Sequence, residues 1–293
     1  MPSPEPPGRR MAMDPDYAAR PGYDPAFLGR TVPLPRLSAG QKRLAARPAG
    51  KRTAILHYHH FSLVMHARRR LPFFTAVNLD GARRPKLPPR TDAWSFDPRL
   101  SREGQLGPGF YVGNDFDLGH LVRRLDPAWG DTRAEAVRAN NDTFHLTNCA
   151  PQHKLFNRSA QVWAGLEDYI LDRARAARLR ACVFTGPVLR EDDPEFAGVA
   201  VPLEFWKVVV AVTDAGRLSA TAYVVSQAEQ VRTMRLRAAP PFGPFKTFQV
   251  AVAKVEQMTG LGFGRLRYHD PLGRPGLRAA APRVLESHEQ IVL

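Results

Sequence analysis

The chain has 293 residues and 44% hydrophobic content, enough for a sizeable core, and one large domain with a loose tail fits it better than two small ones. Lys and Arg number 42 against 28 Asp and Glu, giving a formal charge of +14 and a pI near 10.4, the footprint of a polyanion binder or of a coding bias toward Arg and Ala. Cys149 and Cys182 alone exclude a disulfide framework and a clustered thiolate zinc site, and the absence of a signal-like or membrane-length apolar run makes a cytoplasmic location the expectation.

Residues 1–50 hold ten of the 27 prolines without helical or strand period and read as an extended Pro/Arg-rich, partly disordered arm. Tyr23 to Gly29 and Val32 to Pro35 supply apolar anchors, so the second half should strap across the domain while residues 1–20 stay mobile. From Thr53 the pattern turns strand-like through Ala54-Ile55-Leu56, Phe61 to Val64 and Phe73 to Leu79, closing on the turn signal Asp80-Gly81. Lys86 to Gly109 is rich in Pro and Arg and reads as a long loop carrying Trp94 inward. Asp142 to Asn148 alternates as a strand would, and Ser159 to Leu179 has the apolar spacing of the core helix, with Trp163 and Leu166 on it. A strand at Cys182 to Leu189 precedes a hairpin of Phe205 to Val212 and Leu218 to Val225 around Asp214-Ala215-Gly216. A last helix over Gln249 to Thr259 stops at Gly260, leaving 51–275 as the globular domain and 276–293 as a tail.

The chemistry concentrates between Asp117 and Glu167. Asp117-Leu118-Gly119-His120 is followed by Thr147-Asn148, Pro151-Gln152, Phe156-Asn157 and Trp163 with Leu166-Glu167. An imidazole, a carboxamide and a carboxylate in that order point to metal-assisted hydrolysis. In order and spacing these pieces resemble the DNA/RNA non-specific endonuclease family, whose signature is Asp-Arg-Gly-His, then an Asn holding the metal, then a helical Glu. The resemblance runs from about Thr53 to His269 and takes in Arg70, Phe184 to Val188 and Glu204 to Val208. It implies an α+β fold of the ββα-metal type, with a mainly antiparallel sheet flanked by helices. Leu118 departs from the signature: it stands where the family usually has an Arg that helps hold the phosphate.

Hydrolysis of a phosphodiester requires an activated water, charge neutralisation at phosphorus and stabilisation of the leaving 3′ oxygen. An imidazole whose ordinary pKa is about 6.5 keeps a usable neutral fraction near pH 7, so His120 is the general base. Asp117 supports it by orienting neighbouring groups, and Gly119 removes a side chain that would crowd the phosphate. Asn157 offers a hard neutral oxygen suited to Mg²⁺, replaceable by Mn²⁺, although by position alone it could equally be a helix N-cap. Glu167 lies ten residues on. In one straight helix that separation is about 15 Å of rise and some 80° of rotation, so either the residues after Asn157 are not helical or Glu167 acts through a water on the ion. Asn148 and Gln152 brace the loop that presents Asn157. Arg70, at a family position, and Arg123 and Arg124 are the candidates for gripping phosphate in place of the missing Arg. His57, His59 and His60 lack a third ligand at metal spacing, and Trp163 and Trp206 read as core aromatics.

The reading is therefore a Mg²⁺-dependent endonuclease that cuts DNA and RNA with little sequence preference and leaves 5′-phosphate and 3′-hydroxyl ends, because phosphates carry no sequence information. Its partners are nucleic acid and an inhibitor or regulator, with no membrane. The rival reading is a nuclease fold that lost catalysis with Leu118 and serves as a nucleic-acid-binding module.

Overall fold

The computed structural model describes residues 13–87, 93–158, 163–176, 178–236, 247–273 and 283–285. An eight-stranded antiparallel sheet organises the molecule: β1 (Ile55–Tyr58), β2 (Phe61–His66), β3 (Leu71–Asp80), β6 (Arg180–Pro187), β9 (Glu204–Val212), β10 (Leu218–Ser226), β11 (Thr247–Val250) and β12 (Arg283–Leu285), hydrogen-bonded in that order. Between β3 and β6 the chain forms β4 (Phe116–His120) and β5 (Cys149–His153), which pair only with each other; β7 (Glu195–Phe196) and β8 (Val199–Ala200) make a second small ribbon. The helices are α1 (Ala39–Leu44), α2 (Arg133–Asp142), α3 (Lys154–Asn157), α4 (Trp163–Ala176), α5 (Ala228–Leu236) and α6 (Val252–Thr259). The architecture is α+β with a mainly antiparallel sheet, as the motifs implied.

Period-two alternation sorts the sheet into two buried faces. Trp206, Val208 and Val210 of β9 join Cys182 and Phe184 of β6 in a core with Tyr23, Phe27 and Val32 of the arm and Val252 and Val255 of α6. Residues of opposite parity, Ala181, Val183 and Phe205, face clusters that contain Leu166, Leu171 and Ala174 of α4. That parity also aims Lys207 toward α4. β3 is buried along its whole length, and only Thr75, Asn78 and Asp80 interrupt its apolar run.

The β9–β10 hairpin, β3, β6 and the α6 stop at Gly260, left-handed at φ 68°, lie where the sequence placed them. Other expectations need correction. Asp142 to Asn148 is not a strand but the end of α2 followed by a 3₁₀ turn at Leu146–Asn148; Thr132 caps α2 and Ala136 and Ala139 are its buried face, a stripe too weakly apolar to show periodicity. The arm forms α1, closed by a Ser38/Gln41 capping box, and it docks from residue 17 onward, since Tyr17 bonds His145 and Arg20 pairs with Asp142. Within the expected C-terminal tail, β12 extends the sheet against β11. Of the expected core helix, residues 159–162 and 177 and the Trp163 side chain lie outside what the structure describes, as do residues 1–12, at the start of the arm. Cys149 and Cys182 are both buried free thiols, pushed up by burial to about 12 and about 11. Among the described residues, no helix is long and apolar enough to cross a membrane.

Candidate active site

The β4–β5 ribbon carries the site. Its register sets His120 opposite Cys149, Gly119 opposite Ala150, and Asp117 opposite Gln152, so both halves of the motif lie on adjacent strands. The apolar residues beside the candidate groups explain their convergence. Leu121 next to His120, Phe156 next to Asn157, and Leu166 next to Glu167 are each fully buried in one cluster with Ala150 and Phe205. Each polar group is thus fastened to the rim of the same apolar core by its chain neighbour.

His120 is half-buried, with its ring centroid 4.4 Å from that of Trp94 and 4.9 Å from that of Phe144, the latter edge-on. Trp94 is the inward anchor expected of the Pro/Arg loop, and it walls the imidazole. Asn148 ties down the next turn: Nδ2 donates to Val122 O and Thr143 O, and Oδ1 accepts from Val122 N, all at 2.9 Å. Its bracing therefore serves the segment after His120, not the loop before Asn157, because its amide is already committed to those three backbone groups.

Asn157 ends α3 and is not a helix N-cap; that position is taken by His153. Its Nδ2 donates to Asp117 Oδ2 at 3.0 Å, and because a carboxylate only accepts, the amide's Oδ1 is the end turned away from Asp117. Arg158 grips the same carboxylate with a fork at 2.9 and 2.7 Å. Burial works to raise the Asp117 pKa, but the bonds from Arg158 and Asn157 outweigh it and hold the group below the usual carboxylate range. Asp117 is accordingly the ionised bracket of Asn157. At Gly119 a Cβ would lie 2.1 Å from Gln152 Oε1, so the missing side chain makes room for Gln152. Gln152 is fully buried, and neither polar atom of its amide has a hydrogen-bond partner among the described residues.

Glu167 starts a different network. Because α3 and α4 are separate elements, the single-helix geometry does not apply. The carboxylate is 8% exposed, stands 3.5 Å from Lys207 Nζ, and is pushed up to about 7 by burial, with Lys207 and Arg123 opposing and Asp126 adding to the rise. Lys207 also donates to Thr185 Oγ1 at 3.0 Å. Asp126, fully enclosed beside the same cations, is raised too, by burial. Arg123 is spent on this network and on an ion pair with Asp168. Arg124 donates to Asn140 Oδ1 on α2, and Arg70 lines a groove with Phe110, Asn114 and Phe196 beside the start of β4. The three clustered histidines diverge: His57 bonds Ser62, His59 bonds Asp142, and His60 stacks on Trp129, so no common ligand point forms.

Three residues escaped the sequence reading. Arg158 follows Asn157 directly and carries no signal that sets it apart in a chain rich in Arg. Phe144 gave no polar signal. Gln227 is fully buried after β10, accepting from His153 N and donating to Pro151 O and Pro202 O; it fastens β5 to the main sheet from 74 residues away, a pairing no local pattern reveals.

Over 263 residues, 84% of its length, the chain is 42% identical to the uncharacterized protein y4fB of Sinorhizobium fredii, of which it covers 39%. It is 28% identical over 165 residues to mitochondrial endonuclease G of Homo sapiens, covering 52% of this chain and 50% of that protein. The chain thus spans half or less of the length of these curated relatives. In fold it resembles the crystal structure of the EndoG/EndoGI complex, with a TM-score of 0.53 at 24% identity over 72% of this chain and 85% of that one. The model of the DNA/RNA non-specific endonuclease family matches residues 44–270, and the chain belongs to that family.

Proposed function

We propose that this chain is a Mg²⁺-dependent endonuclease, with Mn²⁺ as a substitute, that hydrolyses phosphodiester bonds of DNA and RNA to 5′-phosphate and 3′-hydroxyl ends. The observation that carries the reading is the gathering of His120, Asn157 and Glu167 around one apolar cluster through Leu121, Phe156 and Leu166. In this scheme His120, its ring set against Trp94 and Phe144, takes the proton from the attacking water. Asn157 would hold the cation through Oδ1, with Asp117 and Arg158 fixing the amide. The residues fit such an ion: Asn157 offers a hard carboxamide oxygen turned away from Asp117, and the orphaned Gln152 amide has donor and acceptor capacity for its water shell or for the phosphate. The cation's part is to neutralise charge at phosphorus and at the leaving 3′ oxygen.

Glu167, joined to Lys207, supports the site from the core side. Arg70 and Arg158 are the phosphate-facing cations, and Arg158, with a side chain 70% exposed, stands nearest the metal ligand. Arg123 and Arg124 act through the loop after His120 more than through substrate. The inhibition named for the EndoG/EndoGI complex supports an inhibitor as the partner that restrains this activity. Retention of His120 and Asn157 favours catalysis over the binding-only reading. The test is cleavage of supercoiled plasmid and of RNA by the purified protein in Mg²⁺ and after chelation, together with Asn157→Ala. Cleavage should cease in EDTA, and Asn157→Ala should raise the Mg²⁺ concentration needed for half-maximal rate. Activity that survives thorough chelation rejects the metal mechanism.

A further inference from the structure

The arm N-terminal to the family match reaches the wall behind His120. Arg20 has a fully buried side chain whose Nε and Nη2 each donate to Asp142 at 2.8 Å, and Asp142 also accepts from His59 N and Nδ1. Burial works to raise the Asp142 pKa, but the His59 and Arg20 bonds outweigh it and keep the group ionised. The ring of Tyr17 lies under the Arg20 and Arg99 guanidiniums, at 3.8 and 4.6 Å. Its hydroxyl meets His145 Nε2 at 2.8 Å, while His145 Nδ1 meets the Asp142 carbonyl at 2.8 Å. A carbonyl only accepts, so Nδ1 carries the proton and Tyr17 O–H donates to Nε2.

Asp142 and His145 flank Phe144, whose ring edge packs on His120. Phe144 O accepts from Ser95 N and Ser95 O accepts from Leu146 N, which holds Trp94 against both the imidazole and the Phe144 ring, at 4.4 and 5.4 Å between centroids. The arm thus clamps both ends of the turn that carries Phe144, and Ser95, next to Trp94 in the chain, is hydrogen-bonded to that turn. Residues 17 and 20 lie outside the family match, which begins at residue 44.

We infer that Tyr17 and Arg20 are positioning residues for His120, acting through the 142–145 turn and Phe144, so that the arm is part of the catalytic unit. The inference rests on the reading of His120 as the base. A ring displaced by about 1 Å from its productive position can lower turnover by up to roughly a hundredfold without altering substrate binding. The mechanism therefore forecasts a change in kcat with little change in KM.

The experiment compares the full chain with Tyr17→Phe, Arg20→Ala, Arg20→Lys and His120→Ala on one plasmid substrate in Mg²⁺, with thermal unfolding measured for each. Tyr17→Phe keeps the ring between its cations and deletes only the bond to His145, so it tests the inference even where Arg20→Ala fails to fold. Expected are a kcat about five- to twentyfold lower for Tyr17→Phe, KM within about twofold of the parent, and Arg20→Lys intermediate between parent and Arg20→Ala. Parental kcat in Tyr17→Phe, or a raised KM at unchanged kcat, overturns the inference. Should His120→Ala cleave at the parental rate, the base assignment itself falls and takes the inference with it. An inactive His120→Ala beside a parental Tyr17→Phe removes only the role of the arm.

Discussion

Leu118 is the residue at which this chain leaves its family's signature, and the ribbon geometry gives the departure a physical meaning. Two residues before His120 on the same strand, a side chain at 118 shares the face of His120. An Arg there would stand beside the base and could reach the same phosphate. A charge-assisted hydrogen bond of about 1.5 to 3 kcal/mol that strengthens in the transition state corresponds to roughly ten- to hundredfold in rate. Leu118→Arg should therefore raise kcat by about tenfold in plasmid cleavage. If Arg158 already fills that role, Leu118→Arg will be neutral and Arg158→Ala severe. A rate indifferent to both changes contradicts the account of phosphate recognition. At this scale the sequence singled out residues that the fold gathers around one cluster, but not what they touch. His120, Asn157 and Asp117 were legible from order and spacing, whereas the Gly119 accommodation of Gln152 and the Arg158 fork on Asp117 depend on side chains meeting across two strands and a turn.

Elements with strong period or sharp punctuation were legible as well, among them β3, β6, the β9–β10 hairpin and the α6 stop. Those held by tertiary contacts were not. The α2 sequence exposes most of its surface and hides only small side chains and one carboxylate, so nothing in its pattern declared a helix, and the 142–148 segment, whose shape comes from Asn148 and Ser95, passed for a strand. This assignment carries its own test. Asn148→Ala would strand the Val122 N–H and the Val122 and Thr143 carbonyls in a site from which solvent is excluded. At about 1 kcal/mol or more for each orphaned group the loss is about 3 kcal/mol, seen as a Tm lower by roughly 6 to 12 °C. A variant melting within a degree or two of the parent shows that the amide is not what shapes the turn.

Two buried polar networks stand out in the whole molecule: the arm with Asp142 and His145, and Glu167 with Lys207 and Asp126. The second makes stability depend on pH. Burial raises Glu167 to about 7 in the folded chain, above its ordinary carboxylate value, so the folded state binds the extra proton between the two values. Stability from this group is full below the unfolded pKa and is lost as pH rises toward 7. The unfolding free energy should decline from about pH 5 to about pH 7, and Glu167→Gln should flatten that decline. A parental slope in Glu167→Gln would assign the dependence to another group. The formal charge of +14 and the family membership support the proposal that nucleic acid is the substrate, and in that proposal the chemistry turns on one imidazole. The most direct test is the initial rate of supercoiled plasmid nicking in Mg²⁺ by His120→Ala against the parent. The account predicts a rate lower by about 10² to 10⁴-fold with DNA binding and folding retained; equal rates for the two proteins would contradict it.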